Sequence, residues 1–455
     1  MTRHLPRLHF FGAANTVTGS RYLLETAQQS ILIDCGMFQG YKVLRERNWK
    51  PFPVEPREID AIVLTHAHMD HSGFVPALVA QGFHGPVYCT AATAALCEIL
   101  WLDAGHLQEE EAEYLNRHKL SKHQPARPLY DQLQAKAALR QLKVVNADAL
   151  LELGDIRIRF RYNGHILGSA SLEVDAMGKT LLFSGDLGRP HDLLMYPPKP
   201  PVYADYLIVE STYGDRRHDP VDVEEKVAAL VSETLQRSGT VLVPAFAVGR
   251  AQEVLYLLRK LQDENRIPLV PIYLDSPMAI SVTDLFRKFH ELHKLDAQEC
   301  DRMCRGVHYT RTVEQSQALN QLTMPRIIIS ASGMATGGRV LHHLKFLIGD
   351  DRNTVLFAGY QVGGTRGARL VGGEKRIKIH GRYYDVHARI ENLDSLSAHA
   401  DYAEILSWLE HLEVAPVRTF VTHGEEAAAD AMRMQIQERF GWSSCVPDQG
   451  DVFQL

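Results

Sequence analysis

The chain has 455 residues, of which 45% are apolar and 23% charged, the balance of a globular protein large enough for two domains. No apolar run reaches the roughly 18 residues that a membrane span needs. A formal net charge of −6 argues against a nucleic-acid binder that relies on overall charge. The start, MTRHLPRLHFFGAAN, lacks the sustained apolar core of a signal peptide. The six cysteines, at positions 35, 89, 97, 300, 304 and 445, follow no disulfide framework. Both features lead to the expectation of a cytoplasmic protein with reduced thiols.

In chain order, the first part alternates short strands with turns. RLHFFGAANTVTGSRYLLE, SILIDCG, DAIVLTHAH and GPVYC read as strand segments, with helices expected after residues 70 and 90. Residues 100–142 read as amphipathic helix broken near Pro125 and Pro128. Strands resume with IRIRFRYNG, SLEVDA and KTLLFSGDLG, and the proline-rich YPPKPPVYAD at 196–205 is a natural junction. Beyond it the rhythm changes to strand, small-residue turn and helix, as in TVLVPAFAVGRAQEVLYLLRKL and RIIISASGMATGGRVLHHLKFL, the pattern of parallel α/β units. Residues 321–391 hold eleven Lys/Arg against five Asp/Glu, a local basic excess in an acidic chain. A solvated face and a phosphate-binding surface both accommodate that excess.

Potential metal ligands concentrate in HAHMDHSG, residues 66–73. His66 and His68 alternate along an extended segment and so share a side, while Asp70 and His71 fall where the chain turns helical. The layout suits two adjacent ions better than one. His165, Asp186, His423 and Asp34 each follow an apolar strand, the place where sites in α/β proteins form. Taken singly, each such residue is more often a turn former or a satisfied buried group than a ligand.

The series His66-x-His68-x-Asp70-His71, His165, Asp186 resembles the ligand series of the metallo-β-lactamase superfamily. Three later segments are similar to motifs A, B and C of its β-CASP branch of RNA-processing nucleases, which includes bacterial ribonucleases like the cleavage-and-polyadenylation endonuclease. These are VESTYGD with Glu210, SAHAD with His399 and VTHGE with His423. The resemblance implies an α/β fold in which a four-layer αββα sandwich at 1–206 and 394–455 carries an inserted β-CASP α/β domain at 207–393, with the site in the cleft between them.

It further implies two Zn2+ per chain, one held by His66, His68 and His165, the other by Asp70, His71 and His423, with Asp186 bridging. Iron and manganese suit the same donors. Asp70, Glu210 and His399 would have the catalytic roles, His399 as general acid oriented by Glu210, against a hydroxide activated by the two metals. Asp34 would orient a loop or a ligand histidine from behind. The small residues before two helices, with Arg250, Ser332 and Gly333, could present amides to phosphate or merely form tight turns. Ser397, Arg339 and Arg366 are further candidates for phosphate contact. The expected substrate is single-stranded RNA cut internally. Removal from a 5′ end, and hydrolysis of DNA or small esters, are the alternatives. A metal-free scaffold role is disfavoured because every ligand position is filled. No domain beyond these is apparent at either end of the sequence, which favours a compact endonuclease; oligomeric state is not legible.

Overall fold

The computed structural model describes residues 5–121, 125–220 and 222–455. The chain forms two compact units, one running to Arg217 and resuming as His399–Leu455, the other His218–Ala398. Among the described residues no helix is long and apolar enough to cross a membrane.

The first unit contains two seven-stranded sheets among its described residues. One runs, in spatial order, from Val452–Gln454 through Arg7–Phe10, Tyr22–Glu25, Ser30–Ile33, Ala61–Val63 and Val87–Cys89 to Leu142–Val144. The other runs from Ser444–Cys445 through Arg418–Val421, Tyr206–Val209, Lys179–Phe183, Ala170–Ala176 and Ile156–Tyr162 to Leu150–Leu153. Alternation along the strands builds the layers. Leu8, Phe10, Ile31, Ile33, Leu181, Phe183, Ile208 and Phe420 from both sheets meet in one core. The intervening Leu182, Leu207, Val209 and Val421 point the other way, onto helices Tyr402–Leu409 and Glu426–Phe440. This is the sandwich architecture that the sequence resemblance implies.

The expected helical stretch at 100–142 is divided differently. Thr90 caps a single helix, Ala91–Arg117, by accepting from the Thr93 amide. Asp131 forms a capping box at the start of Gln132–Leu139, and the chain then extends as the strand Leu142–Val144. Residues 122–124 of that stretch lie outside the described residues. The first expected strand segment splits into Arg7–Phe10 and Tyr22–Glu25, because the loop between them folds back on itself. A Cβ on Gly12 would lie 1.8 Å from the Gly19 carbonyl oxygen, so only glycine permits that closure.

The second unit contains, among its described residues, a two-stranded hairpin and a parallel six-stranded sheet in the order Val307–Tyr309, Ile272–Asp275, Arg326–Ser330, Thr240–Pro244, Thr354–Ala358 and Arg389–Leu393. Helices follow the strands, as the strand–turn–helix rhythm predicts. Burying a Val, Leu or Ile contributes about 1.5–3 kcal/mol each, and Leu242, Ile328, Val355 and Phe357 form the sheet's contribution to this core.

Candidate metal centre

Six strand ends of the first unit carry candidate residues, among them that of Ile156–Tyr162, which precedes His165. Ser30–Ile33 runs parallel to Ala61–Val63, so Asp34 and the 64–68 segment leave the first sheet at the same edge. Lys179–Phe183, Tyr206–Val209 and Arg418–Val421 are likewise mutually parallel neighbours, which brings Asp186, Glu210 and His423 to one edge of the second. Sites form at such carboxyl ends because side chains there face open space beyond the hydrogen-bonded ladder. His68 ends an extended stretch and precedes a helical turn, Met69–Ser72, that carries Asp70 and His71.

That turn is tied to the loop after Ile33. Cys35 N donates to His71 O at 2.7 Å, Met37 N to Met69 O at 2.8 Å and Ser20 N to Asp70 O at 2.8 Å. A Cβ on Gly36 would overlap the Asp70 carbonyl, so glycine is needed for this approach. Arg21 Nε donates to Gly36 O at 2.8 Å, and its guanidinium lies 4.0 Å from the Phe74 ring centroid and 5.0 Å from that of Phe38. Burial lowers the Arg21 pKa to about 10, and the ring faces offset part of the desolvation.

The side chains converge in two groups. His66, His68, His165 and Asp186 each offer a ligand atom, all within 4.8 Å of one another, and so do Asp70, His71 and His423. Asp186 faces both. Its Oδ2 lies 3.4 Å from His66 Nε2 and 3.5 Å from His165 Nε2, while its Oδ1 lies 3.1 Å from His71 Nε2 and 3.5 Å from His423 Nδ1. Nevertheless Oδ1 is buried with no donor aligned on it. Imidazole nitrogens also face one another, at 3.2 Å for His66 and His68, 3.1 Å for His165 and His68, and 3.1 Å for His71 and His423.

Hydrogen bonds behind the rings set their tautomers. Thr65 Oγ1 donates to Asp34 Oδ2 at 2.8 Å and therefore accepts from His66 Nδ1 at 3.0 Å. This leaves the lone pair of His66 on Nε2, toward Asp186. Asp34 also accepts from His71 Nδ1 at 2.8 Å and from the Thr65 amide at 2.8 Å. Thr212 Oγ1 lies 3.1 Å from His423 Nδ1.

Burial, reinforced by His71, drives the His66 pKa down to about 3, and burial takes His68 to about 4. These rings are neutral at physiological pH, the form that ligates metal. Burial opposes charge on Asp186, but the surrounding imidazoles, His423 and His71 foremost, overcome it and hold the carboxylate well below its usual range. An orphaned carboxylate oxygen among converging imidazole nitrogens fits a bound cation of the zinc type.

Beside the groups, Glu210 Oε1 accepts from the Leu187 amide at 2.7 Å, and its two oxygens lie 3.0 and 3.1 Å from His399 Nδ1. His399 Nε2 is 4.0 Å from Asp186 Oδ2. Burial lowers the pKa of His399, but Glu210 and then Asp186 outweigh it and raise it to about 9.

A family model described as the metallo-beta-lactamase superfamily matches residues 15–230, a Beta-Casp domain matches 251–370, and a Zn-dependent metallo-hydrolase RNA specificity domain matches 383–447. Over 425 residues the chain is 39% identical to Ribonuclease TTHA0252 of Thermus thermophilus, spanning 91% of this chain and 92% of the relative. The chain belongs to the β-CASP ribonuclease family of the metallo-β-lactamase superfamily. The chain is also similar to an RNase J-like protein of Methanocaldococcus jannaschii, 27% identical over 98% of this chain and 99% of the relative. Transcription termination factor FttA of Methanosarcina mazei is 31% identical over 93% of this chain and 67% of its own. A crystal structure of a protein of unknown function from Enterococcus faecalis shares the fold, with a TM-score of 0.56 at 12% identity over 99% of this chain and 100% of that one.

The residues expected to meet phosphate lie in the β-CASP unit and are engaged within it. Arg339 Nη1 donates to Asp275 Oδ1 at 2.7 Å and Thr310 O at 2.8 Å, and its Nη2 to Arg311 O at 2.8 Å. Arg366 Nε donates to Lys378 O at 2.8 Å and its Nη1 to Thr336 O at 3.0 Å. Arg250 is buried and ion-paired with Glu253. Ser332 Oγ accepts from the Thr336 amide at 3.1 Å, Gly333 O accepts from Gln361 at 3.3 Å, and the buried Ser397 donates its amide to Asp394 O at 2.8 Å. The two arginines thus also hold loops of this unit through backbone carbonyls. Thr65, Thr212 and Arg21, by contrast, support the candidate ligands and were not singled out from sequence. Thr65 had a signal, being the hydroxyl directly before His66; the others meet their partners only through the fold.

Proposed function

We propose that the chain is a zinc-dependent ribonuclease that hydrolyses phosphodiester bonds within single-stranded RNA. The observation that carries this reading is Asp186, which turns one carboxylate oxygen to each histidine group. His66, His68 and His165 would hold one ion, Asp70, His71 and His423 a second, and Asp186 both. When bound, zinc supplies Lewis acidity and positive charge opposite a phosphate. The names of the Thermus ribonuclease and the RNase J-like relative support RNA as the substrate class. The division of labour proposed is the one expected from sequence, with metal ligands in the lactamase segments 1–206 and 394–455 and substrate-shaping surface in the β-CASP segment 207–393.

The chain's own groups account for the proton. His399 Nδ1 donates to Glu210, which fixes the ring and leaves Nε2 as the end on the Asp186 side. A proton on Nε2 can pass to the departing ribose oxygen, which otherwise leaves as a poor alkoxide. Glu210 is held by the Leu187 and Thr212 amides, so the dyad is built before substrate arrives. Asp34 and Thr65 keep His71 and His66 in their ligating tautomers.

The test pairs metal analysis with product mapping. Purified protein should contain about two zinc per chain, since seven ligands exceed one tetrahedral site. On RNA labelled at an end and internally, it should release oligonucleotides with new internal ends. Release of mononucleotides from the 5′ end would instead make it an exonuclease, and no RNA cleavage by the zinc-loaded protein would reject the reading.

A further inference from the structure

The β-CASP unit carries a hairpin, Arg376–Ile379 paired antiparallel with Arg382–Asp385. Its turn residues His380 and Gly381 have φ of 45° and 84°, the doubly positive pair of a two-residue hairpin turn. Ile377 and Ile379 are fully buried in the unit's core. By strand alternation Arg376 and Lys378 point outward, and both are exposed. Their cations lie 5.4 and 5.7 Å from the ring centroid of Tyr383, which is 58% exposed.

At the turn, the His380 ring is 5.2 Å from that of His342, on the helix Arg339–Leu347. Lys345 and Phe346 follow His342 by three and four positions and so share its helix face; Phe346 is 63% exposed. Burial and then the charge of Arg382 lower the Lys345 pKa, and burial with Lys345 lowers those of His342 and His380. Acids are few here. Asp385 pairs with Arg376 at 3.0 Å and Glu374 with Arg369. Among the described residues no ion pair neutralises Lys345, Lys378 or Arg382. A chain of net charge −6 therefore gathers mutually repelling cations beside two exposed aromatic faces. That combination fits a flexible polyanion with unstacked bases, whereas a duplex would hide the bases and an acidic protein would not use the ring faces.

We propose that this hairpin and the exposed face of Arg339–Leu347 form a docking surface for single-stranded RNA, with phosphates on Lys345, Lys378 and Arg382 and bases stacked on Tyr383 and Phe346. The proposal rests on the ribonuclease reading and adds a binding site built from residues other than those of the metal centre.

The test compares the zinc-loaded wild type with Lys378→Ala/Arg382→Ala, and with Lys136→Ala/Arg140→Ala as an equal charge loss in the other unit. Each is titrated with a 2′-O-methyl oligonucleotide of about twenty nucleotides over a range of salt. The hairpin variant should bind about tenfold more weakly near 0.1 M salt, and its log–log salt slope should be smaller by about 1.4, or roughly 0.7 per lost phosphate contact. The control should match wild type. Tyr383→Ala should weaken binding while keeping the slope, because stacking releases no counterions. If wild type cleaves RNA but the hairpin variant binds with unchanged affinity and slope, the surface is rejected and the ribonuclease reading stands. A wild type that neither binds nor cleaves RNA overturns both.

Discussion

Both oxygens of Glu210 meet Nδ1 of His399, so the imidazole cannot turn and its other nitrogen has a fixed place. His399→Ala should therefore keep the metal content of wild type yet cleave RNA about 10²- to 10⁴-fold more slowly. A substrate with a better leaving group should recover much of that rate, and loss of zinc in the variant would instead make His399 a ligand. His68→Ala should behave oppositely, because its Nδ1 faces both His66 and His165 at 3.2 and 3.1 Å. Metal analysis should find it depleted, with no recovery on the activated substrate. At this scale, residue type and strand-end position made the candidate ligand residues legible. Thr65 and Thr212 were not, since a hydroxyl sets a tautomer only through its distance to a ring. For Arg339 and Arg366, likewise, sequence displays the charge but not the backbone carbonyls that each also meets.

Among the elements, the strand Ile272–Asp275 ends in a buried carboxylate that ties two helices together. Asp275 accepts from Ser316 at 2.5 Å, His343 at 2.6 Å and Arg339 at 2.7 Å. Asp275→Ala strands the buried partners and should cost about 3–5 kcal/mol in urea unfolding of the β-CASP unit. Burial alone would raise the Asp275 pKa, but His343, Ser316 and Arg339 together lower it below the ordinary 3.8. A depressed carboxylate pKa contributes stability that is complete above the unfolded value and disappears as pH falls through the folded one. The stability advantage of wild type over Asp275→Asn should thus be full at pH 7 and shrink below about pH 4; a gap independent of pH would contradict this account. The strand–turn–helix units were readable because β-branched runs end in small residues. The extent of Ala91–Arg117 was harder to read, because its start depends on the Thr90 cap and its end on no proline or glycine.

For the whole molecule, the two candidate metal groups draw on segments far apart in sequence, so on the proposed reading chelation should loosen more than the site. Removing zinc should lower the Tm of the lactamase unit, and adding it back should restore the Tm, because ions that bind only the folded state stabilise it. The sandwich itself came from family resemblance. Short strands in two sheets give no periodic signal of which sheet they join, and Tyr206–Val209 finds its parallel neighbour Arg418–Val421 only after the whole β-CASP segment intervenes. That separation has a consequence in time. His71 and His423 face each other across 352 positions of chain, and a ribosome adding roughly 5–20 residues per second needs on the order of 20–70 s to cover that distance. Throughout that interval the nascent chain holds His66, His68, Asp70 and His71 without His423, and for most of it without His399. On the proposed reading, a nuclease assembled in this order cannot complete its metal centre early in synthesis, while the message that encodes it is still being read.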